Sequence, residues 1–283
     1  MDVDTARIRL GALVGDPRLV IVTGKGGTGK TTVSLLVGLL AERAGLRPLV
    51  VHVDDAPRQH PEVRAVTLRP EAVMLEYLET HGFGALAGRL VQAGVLDAVA
   101  TAIPGIRDLL LLAKVKQLVN AATLDLVILD APASGHALSL LSSPEGLADI
   151  ASDGPIAQQS AEVIELLGDH DTTGALVVTI PEETPIAETR ELLEALPTRA
   201  DINVLSVVVN QMPLAPPAGS ARPGSREATA ASYLRQRWAL AQTQLEGARD
   251  VLGARSFVLP HLDLVPHGHF LDALADHLEQ VEP

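Results

Sequence analysis

The sequence contains no cysteine among its 283 residues. This absence excludes disulfide bonds, zinc sites built from thiolates and iron–sulfur clusters held by cysteine. Positive charge is also scarce, because 22 Lys and Arg stand against 35 Asp and Glu, giving a formal net charge of −13. Such a chain repels phosphate backbones and anionic lipid headgroups. We therefore expect neither nucleic acid nor a membrane surface as a partner.

Long apolar runs are absent as well. No run approaches the roughly 18 residues that a membrane-spanning helix needs, and residues 1–9 are polar. We expect no direct membrane insertion and a cytoplasmic location. A hydrophobic content of 47% with 20% charged residues is ordinary for an α/β protein of this length. The default expectation is one domain over residues 1–283, with an insertion.

Strand-like apolar runs recur along the chain and alternate with helix-length segments. This alternation predicts an α/β fold, a doubly wound and mostly parallel sheet with helices on both faces. The predicted strands are residues 19–22, 49–53, 126–129, 175–180, 204–209 and 256–259. Near the end of the chain, a proline- and glycine-rich loop at 213–226 has the composition of a mobile segment. One long helix is expected over 227–252 and a short one over 270–281.

The segment from residue 69 to residue 120 is too long for a simple crossover between two strands. It is predicted to form a small helical insertion of three helices, at 70–80, 84–101 and 106–120. The last two are rich in leucine and valine. Their apolar side chains either form a surface for a hydrophobic client protein or pack on one another and on the sheet, and the sequence leaves both interpretations open.

A glycine-rich loop follows the first predicted strand and leads into a helix. Residues 24–31 satisfy the G-x-x-x-x-G-K-[ST] pattern, in which successive backbone N–H groups surround the β- and γ-phosphates of a nucleotide. Lys30 supplies a point charge and Thr31 a hydroxyl for Mg²⁺, and the helix terminus adds its positive dipole. The predicted nucleotide-binding residues here are Gly24, Gly26, Gly27, Thr28, Gly29, Lys30, Thr31 and Thr32.

A second motif begins where the strand at 126–129 ends. Asp130 stands at the position from which a carboxylate reaches the Mg²⁺ shell, usually through water. Residues 130–144 then read Asp-Ala-Pro-Ala-Ser-Gly-His-Ala-Leu-Ser-Leu-Leu-Ser-Ser-Pro. This stretch closely resembles switch II of the ArsA and tail-anchored-protein-targeting ATPases. Together with the extra lysine, Lys25, which makes the glycine-rich loop a deviant Walker A, it identifies a resemblance to that family over about residues 19–278.

The resemblance implies a P-loop NTPase that binds ATP and Mg²⁺ and works as a dimer. Lys25 corresponds to the lysine that reaches the nucleotide of the partner subunit, and the backbone N–H of Gly135 corresponds to a γ-phosphate contact. The water-orienting carboxylate of switch I aligns with Asp54, although Asp55, one residue later, remains open. His136 is more often structural than catalytic in such a switch.

Adenine recognition is also implied by the resemblance. Asn210 corresponds to the asparagine that reads the adenine edge, and Pro260 lies in the loop that closes over the base. Two departures stand out: the histidine and second aspartate of the family's switch I are missing, and the cysteines that bind arsenite or zinc are absent.

Two functions therefore stay open. In the first, a nucleotide-gated dimer hydrolyses ATP with Mg²⁺, slowly without a partner, and switches conformation to bind or release a hydrophobic client or partner protein. In the second, the chain is a nucleotide-binding regulatory subunit with little hydrolysis of its own, paired with a related ATPase. Whether the dimer forms with itself or with a related chain is not decided by the sequence.

Overall fold

The computed structural model describes residues 1–53, 60–80, 105–151, 153–216, 224–253, 255–262 and 269–280. Within these residues a single sheet forms the centre of the fold. Its strands are β1 Leu19–Gly24, β2 Pro48–Val53, β3 Ala65–Leu68, β4 Leu126–Asp130, β5 Thr173–Thr179, β6 Val204–Met212, β7 Ser256–Pro260 and β8 Glu279–Gln280. They are arranged in the order β3-β2-β4-β1-β5-β6-β7-β8. The first seven strands are parallel, and β8 alone pairs antiparallel, with β7.

Helices cover both faces of this sheet. The described helices are α1 Val3–Val14, α2 Lys30–Arg43, α3 Pro70–Thr80, α4 Ile106–Val119, α5 Ser134–Ile150, α6 Pro155–Gly168, α7 Glu183–Arg199, α8 Arg226–Gly247, α9 Arg249–Leu252 and α10 Phe270–Asp276. Leu19 and Ile21 of β1 pack in a core with α3 to α7. Val20 and Val22 of the same strand pack in a second core with α1, α2 and α10. The predicted doubly wound, mostly parallel sheet is confirmed.

The described part of the helical insertion answers one of its open questions. Helix α3 has the predicted bounds, and α4 ends one residue earlier than predicted, with Asn120 as its C-cap. The middle predicted helix, at 84–101, lies outside the described residues. The four leucines 109–112 of α4 are at most 4% exposed. They pack in the core with α3, α5 and α6, so the packing interpretation is correct for this helix.

The prediction of one long helix over 227–252 was wrong in one respect, because the segment forms two helices. Helix α8 ends at Gly247, and Ala248 leaves helical geometry with φ −104° and ψ 3° before α9 begins. Only Ala241 is buried along α8, whereas Ala248 and Leu252 are core residues. The break thus lies where the chain passes from an exposed helix to side chains that pack in the core.

The end of the chain also differs from the prediction of a helix over 270–281. Helix α10 stops at Asp276, and residues 279–280 pair with β7. Pairing satisfies backbone groups at the edge of β7 that a helix would leave open. The short strand β3 and helix α1 were not predicted. Residues 217–223 of the predicted mobile loop lie outside the described part, and Ser225 caps the start of α8. No described helix has both the length and the apolarity to cross a bilayer.

Candidate functional site

The carboxyl ends of β1, β2 and β4 meet at one edge of the sheet, where α/β proteins generally bind ligands. The glycine-rich loop, residues 24–30, leaves β1 here and leads directly into α2. A cavity of about 440 Å³ opens beside the loop. It is lined by Gly27, Gly29, Lys30, Thr31, His52, Val53, Asp130, Ala131, Pro132 and Ala133. The structure thus brings the two sequence motifs, loop and Asp130, to one cavity.

Two positions explain why the loop needs glycine. Gly24 has φ 146°, and a Cβ there would lie 2.0 Å from the carbonyl oxygen of Val178. Gly29 has φ 90°, and a Cβ there would lie 2.2 Å from the side-chain nitrogen of Asn210. L-residues with side chains rarely adopt such φ values, and a methyl group would displace a neighbour. The close approach of β5 and β6 to the loop is therefore possible only with glycine.

Lys30 lies at the start of α2 with its ammonium group turned toward the loop. Its Nζ donates a hydrogen bond to the carbonyl oxygen of Lys25 at 3.2 Å. Burial lowers the pKa of Lys30, and the negative charge of Asp130 opposes this shift. A bound anion would favour the charged ammonium further. The arrangement suits a phosphate, with the helix N-terminus behind it.

Asp130 at the end of β4 is 9% exposed and has three polar partners. Thr31 Oγ1 donates to Asp130 Oδ2 at 2.7 Å, and His52 Nδ1 lies 2.9 Å from the same oxygen. Ser34 Oγ lies 3.2 Å from Asp130 Oδ1. The predicted pair of Thr31 and Asp130 is thus in direct contact, whereas His52 and Ser34 were missed. A lone histidine in the otherwise apolar run of β2 was the signal for the first of them.

These oxygens could hold Mg²⁺. The ion is usually bound by one or two carboxylates together with waters and substrate phosphates, at oxygen ligands. The hydroxyl of Thr31 and the carboxylate of Asp130 supply such oxygens beside the loop. Among the described residues there is no cluster of three or more His, Cys, Asp or Glu side chains arranged for a metal. The donor set fits a metal that shares its coordination with a phosphate ligand.

Lys25 has a partner within its own chain. Its Nζ donates to Oε1 of Glu188 on α7, and the two side chains are 31% and 36% exposed. Glu188 also lines a second cavity, of about 580 Å³, together with Ser134 and Gly135 at the start of α5. The amide groups of this first helical turn have no side-chain cap. Glu188 therefore links Lys25 to the cavity that Gly135 lines.

Asn210, at the end of β6, is bound to the glycine-rich loop. Its Nδ2 donates to the carbonyl oxygen of Thr28 at 2.8 Å, and the neighbouring Gln211 Nε2 donates to Gly27 at 3.2 Å. Asn210 is 5% exposed. Sequence reasoning missed these contacts, because their acceptors are backbone atoms that carry no residue signature. Its contact with adenine stays a prediction, as does that of Pro260 at the end of β7.

Comparison with known proteins decides the family. The sequence model of the anion-transporting ATPases matches residues 75–153 and 154–246, more than half of the chain. The chain belongs to the anion-transporting ATPase family. It is 32% identical over 222 residues to the ATPase BagA of Mycobacterium tuberculosis, covering 69% of this chain and 65% of that protein. The chain thus spans slightly less than two thirds of this relative.

Eukaryotic proteins resemble this anion-transporting ATPase family member at lower identity. The ATPase ASNA1 homolog of Dictyostelium discoideum is 27% identical over 246 residues, covering 68% of this chain and 71% of that protein. The ATPase GET3A of Arabidopsis thaliana is 26% identical over 235 residues, covering 68% and 66% respectively. The resemblance predicted from switch II and the glycine-rich loop is confirmed at the level of the family.

The remaining predicted site residues lie outside the family match. The family match begins at residue 75, so the loop at 24–30 rests on its own pattern and geometry. Asp54 and the alternative Asp55 lie outside the described residues. Thr32 is half-buried in the first turn of α2, and Gly26 lies in the loop near Ala133.

Proposed function

We propose that this protein binds ATP with Mg²⁺ and hydrolyses it. The observation that carries the proposal is the contact between Thr31 and Asp130 at the mouth of a loop that only glycine can build. Membership of the anion-transporting ATPase family supports the same activity. The acidic surface elsewhere is no obstacle, because the loop amides and Lys30 provide a local positive field.

Each residue of the loop region has a distinct part in the proposal. The backbone N–H groups of residues 24–30 and the ammonium of Lys30 hold the phosphates. Thr31 donates its proton to Asp130 and keeps its lone pairs for the metal. Mg²⁺ supplies charge neutralisation on the phosphate oxygens when it is bound. Asn210 stabilises the loop through its hydrogen bond to the carbonyl oxygen of Thr28. Together with Pro260, it is assigned to adenine binding.

Hydrolysis needs a carboxylate that orients the attacking water and a group that contacts the γ-phosphate. We assign the orientation of the water to Asp54, with Asp55 as the alternative, because both directly follow β2 in the sequence. Gly135 is assigned the contact with the γ-phosphate, and its exposed position at the uncapped start of α5 supports this. Hydrogen-bond donors at such a helix start favour an anion.

We further propose that the active form is a dimer, formed with a second copy or with a related ATPase chain. Lys25 would then exchange Glu188 of its own chain for the nucleotide of the partner. An ion pair with both side chains about one third exposed contributes only about 0.2–1 kcal/mol. A triphosphate offers a stronger, charge-assisted contact. The exchange is therefore easy once ATP is present.

A client or partner protein would be recognised through a surface that the nucleotide state changes. The buried leucines of α4 do not supply it. Helix α8 supports the idea better, because Tyr233, Leu234 and Leu240 are 62%, 47% and 62% exposed. Such apolar groups on a long exposed helix favour contact with another protein.

The alternative function is a regulatory nucleotide-binding subunit with little hydrolysis of its own. The departure in switch I, where the family's histidine and second aspartate are missing, favours this alternative. A related ATPase chain would then supply the hydrolytic activity. A cytoplasmic location stays a prediction under both readings.

Phosphate release from Mg²⁺-ATP, together with the mass in solution with ATP, with ADP and without nucleotide, tests the proposal. We expect steady turnover and a mass that doubles with ATP, both lost in Lys30→Ala. The matched control is Lys116→Ala, which changes a lysine of α4 that pairs with Glu162. ATP binding without turnover or dimer would favour the regulatory subunit. No ATP binding by the folded protein would contradict both functions.

A further inference from the structure

A buried histidine contacts the candidate metal carboxylate, and nothing in the proposed cycle yet uses it. His52 ends the apolar part of β2, and its Nδ1 lies 2.9 Å from Oδ2 of Asp130. The two side chains are 4% and 8% exposed. Polar groups at this depth are costly unless they are hydrogen-bonded, so the pair is an integral part of the site.

The sheet itself brings these two residues together. Strands β2 and β4 are parallel neighbours, and His52 and Asp130 are direct partners in their register. Two residues earlier, Val50 and Ile128 are partners too, and both belong to the core beneath α2. Because side chains alternate along a strand, His52 and Asp130 also face α2, which carries Thr31. The contact therefore follows from rigid elements and not from a loop.

The hydrogen bonds around Asp130 are unequally divided between its two oxygens. Oδ2 has two close partners, Thr31 Oγ1 at 2.7 Å and His52 Nδ1 at 2.9 Å. Oδ1 has only Ser34 Oγ at 3.2 Å, and that hydroxyl also lies 3.0 Å from the carbonyl oxygen of Lys30. Since Ser34 has one proton to give, Oδ1 holds it at most in part. An ionised carboxylate has about two acceptor sites on each oxygen. The free capacity therefore lies at Oδ1.

We propose that His52 is a positioning residue for Mg²⁺, an inference that rests on the proposed function. An ionised carboxylate only accepts, so the proton of the contact is on Nδ1 of His52 and is donated to Oδ2. The hydrogen bonds from His52 and Thr31 occupy Oδ2 and fix the plane of the Asp130 carboxylate. Oδ1 of Asp130 is thereby left to accept a hydrogen bond from a water of the Mg²⁺ shell. Residues that orient metal ligands in this way commonly change metal affinity strongly when they are replaced.

The same contact ties the end of β2 to the metal carboxylate. His52 lies two residues before Asp54, the candidate for the water-orienting carboxylate. Because His52 is bound to Asp130, the described end of β2 has a fixed position relative to that carboxylate.

The test measures binding of a fluorescent ATP analogue to the full chain over a series of Mg²⁺ concentrations and in EDTA. For His52→Ala we expect half-saturation to need about 10-fold more Mg²⁺, as is typical for residues that orient a metal ligand. Binding in EDTA is expected to be unchanged. His52→Asn should restore the wild-type response, because its amide nitrogen lies at the position of Nδ1. His52→Gln should not, because its amide nitrogen lies at the position of Nε2.

His60→Ala is the matched control. It changes another buried histidine, located between β2 and β3 in the chain, whose Nδ1 accepts from the backbone N–H of Glu62. We expect its Mg²⁺ response to equal that of the wild type. Thermal unfolding without nucleotide reports whether each variant folds. If His52→Ala does not fold, the Asn and Gln variants decide the question between them.

Three results would overturn the proposal. The first is a wild-type Mg²⁺ response in folded His52→Ala. The second is an equal response of the Asn and Gln variants. In both cases a Mg²⁺-dependent wild type would leave the proposed function standing. The third is a wild type that binds no ATP with or without Mg²⁺, and this result would overturn the proposed function as well.

Discussion

Two aspartates flank strand β4 and have very different surroundings. Asp125 precedes the strand, and its carboxylate accepts from Arg47 Nε at 2.8 Å, from Nη2 at 2.6 Å and from the backbone N–H at 2.9 Å. These hydrogen bonds lower the pKa of Asp125 to about 2. Asp130 ends the strand and is 9% exposed. Among the described residues its carboxylate meets two hydroxyls and an imidazole, with no Lys or Arg in ion-pair distance.

The difference separates a structural clamp from a ligand site. The charge of Asp125 is matched by a bidentate guanidinium, a contact with strict geometry that ties the start of β2 to the start of β4. The charge of Asp130 is more deeply buried and less fully matched, with Lys30 acting on it only through space. A buried carboxylate in this condition favours an arriving cation. The carboxylate before β4 is thus fully paired with a cation, whereas the carboxylate at its end is not.

Exchanging each aspartate for asparagine tests this contrast most strongly. For Asp130→Asn we expect Mg²⁺-dependent turnover to fall by roughly 100-fold or more, because a metal site supplies several kcal/mol of transition-state stabilisation. Asp125→Asn is the matched control at the other end of β4 and should keep the wild-type kcat. Phosphate release measures both. Equal losses in the two variants would abolish the distinction between clamp and site.

The glycine-rich loop gives the next largest effect. Gly29→Ala places a methyl group 2.2 Å from Asn210 Nδ2 and forces alanine to φ 90°. Such backbone strain costs about 1–3 kcal/mol, so we expect ATP affinity to fall roughly 10-fold. The control is Gly11→Ala in α1, where the new Cβ meets no atom within 4 Å. Isothermal titration compares them, and unchanged affinity in Gly29→Ala would show that the loop does not hold the ligand.

Removing the ion pair between Lys25 and Glu188 is expected to have a smaller effect. Glu188→Ala frees Lys25 from its partner within the chain. Because the exposed pair contributes about 0.2–1 kcal/mol, the ATP-dependent dimer should form at a protein concentration up to about 5-fold lower. Glu191→Ala, on the same helix and lining the same cavity, is the control. Light scattering with ATP reads the result. A dimer that weakens in Glu188→Ala would show that the pair supports assembly.

The clamp at Asp125 gives the smallest effect, and it depends on pH. Its folded pKa of about 2 lies below the unfolded value of about 3.9, so the stabilising contribution is present above the unfolded value. It is lost as the pH falls through the folded value. Urea unfolding should therefore give a larger free energy of unfolding for the wild type than for Asp125→Asn near neutral pH. This difference should disappear as the pH falls into the acid range. A difference that stays constant down to the folded pKa would contradict the assignment.

Much of the fold and part of the site could be predicted from the sequence, and the features that could not have physical reasons. Apolar runs and the glycine pattern are local signals, and they predicted the parallel sheet, the loop and Asp130 as a strand-end carboxylate. The contact of His52 with Asp130 depends on strand order and register, which single-strand patterns do not encode. The pair of Lys25 and Glu188 joins residues far apart in sequence. The break at Ala248 follows from burial, which composition does not reveal.

A crystal structure with Mn²⁺ in place of Mg²⁺ and a non-hydrolysable ATP analogue, with anomalous diffraction to locate the metal, tests the proposed metal site at Asp130 most directly. We expect an anomalous peak beside the hydroxyl of Thr31, with a water of the metal shell on Oδ1 of Asp130 and with His52 still bound to Oδ2. A peak elsewhere, or nucleotide without metal beside Asp130, would contradict the proposed site.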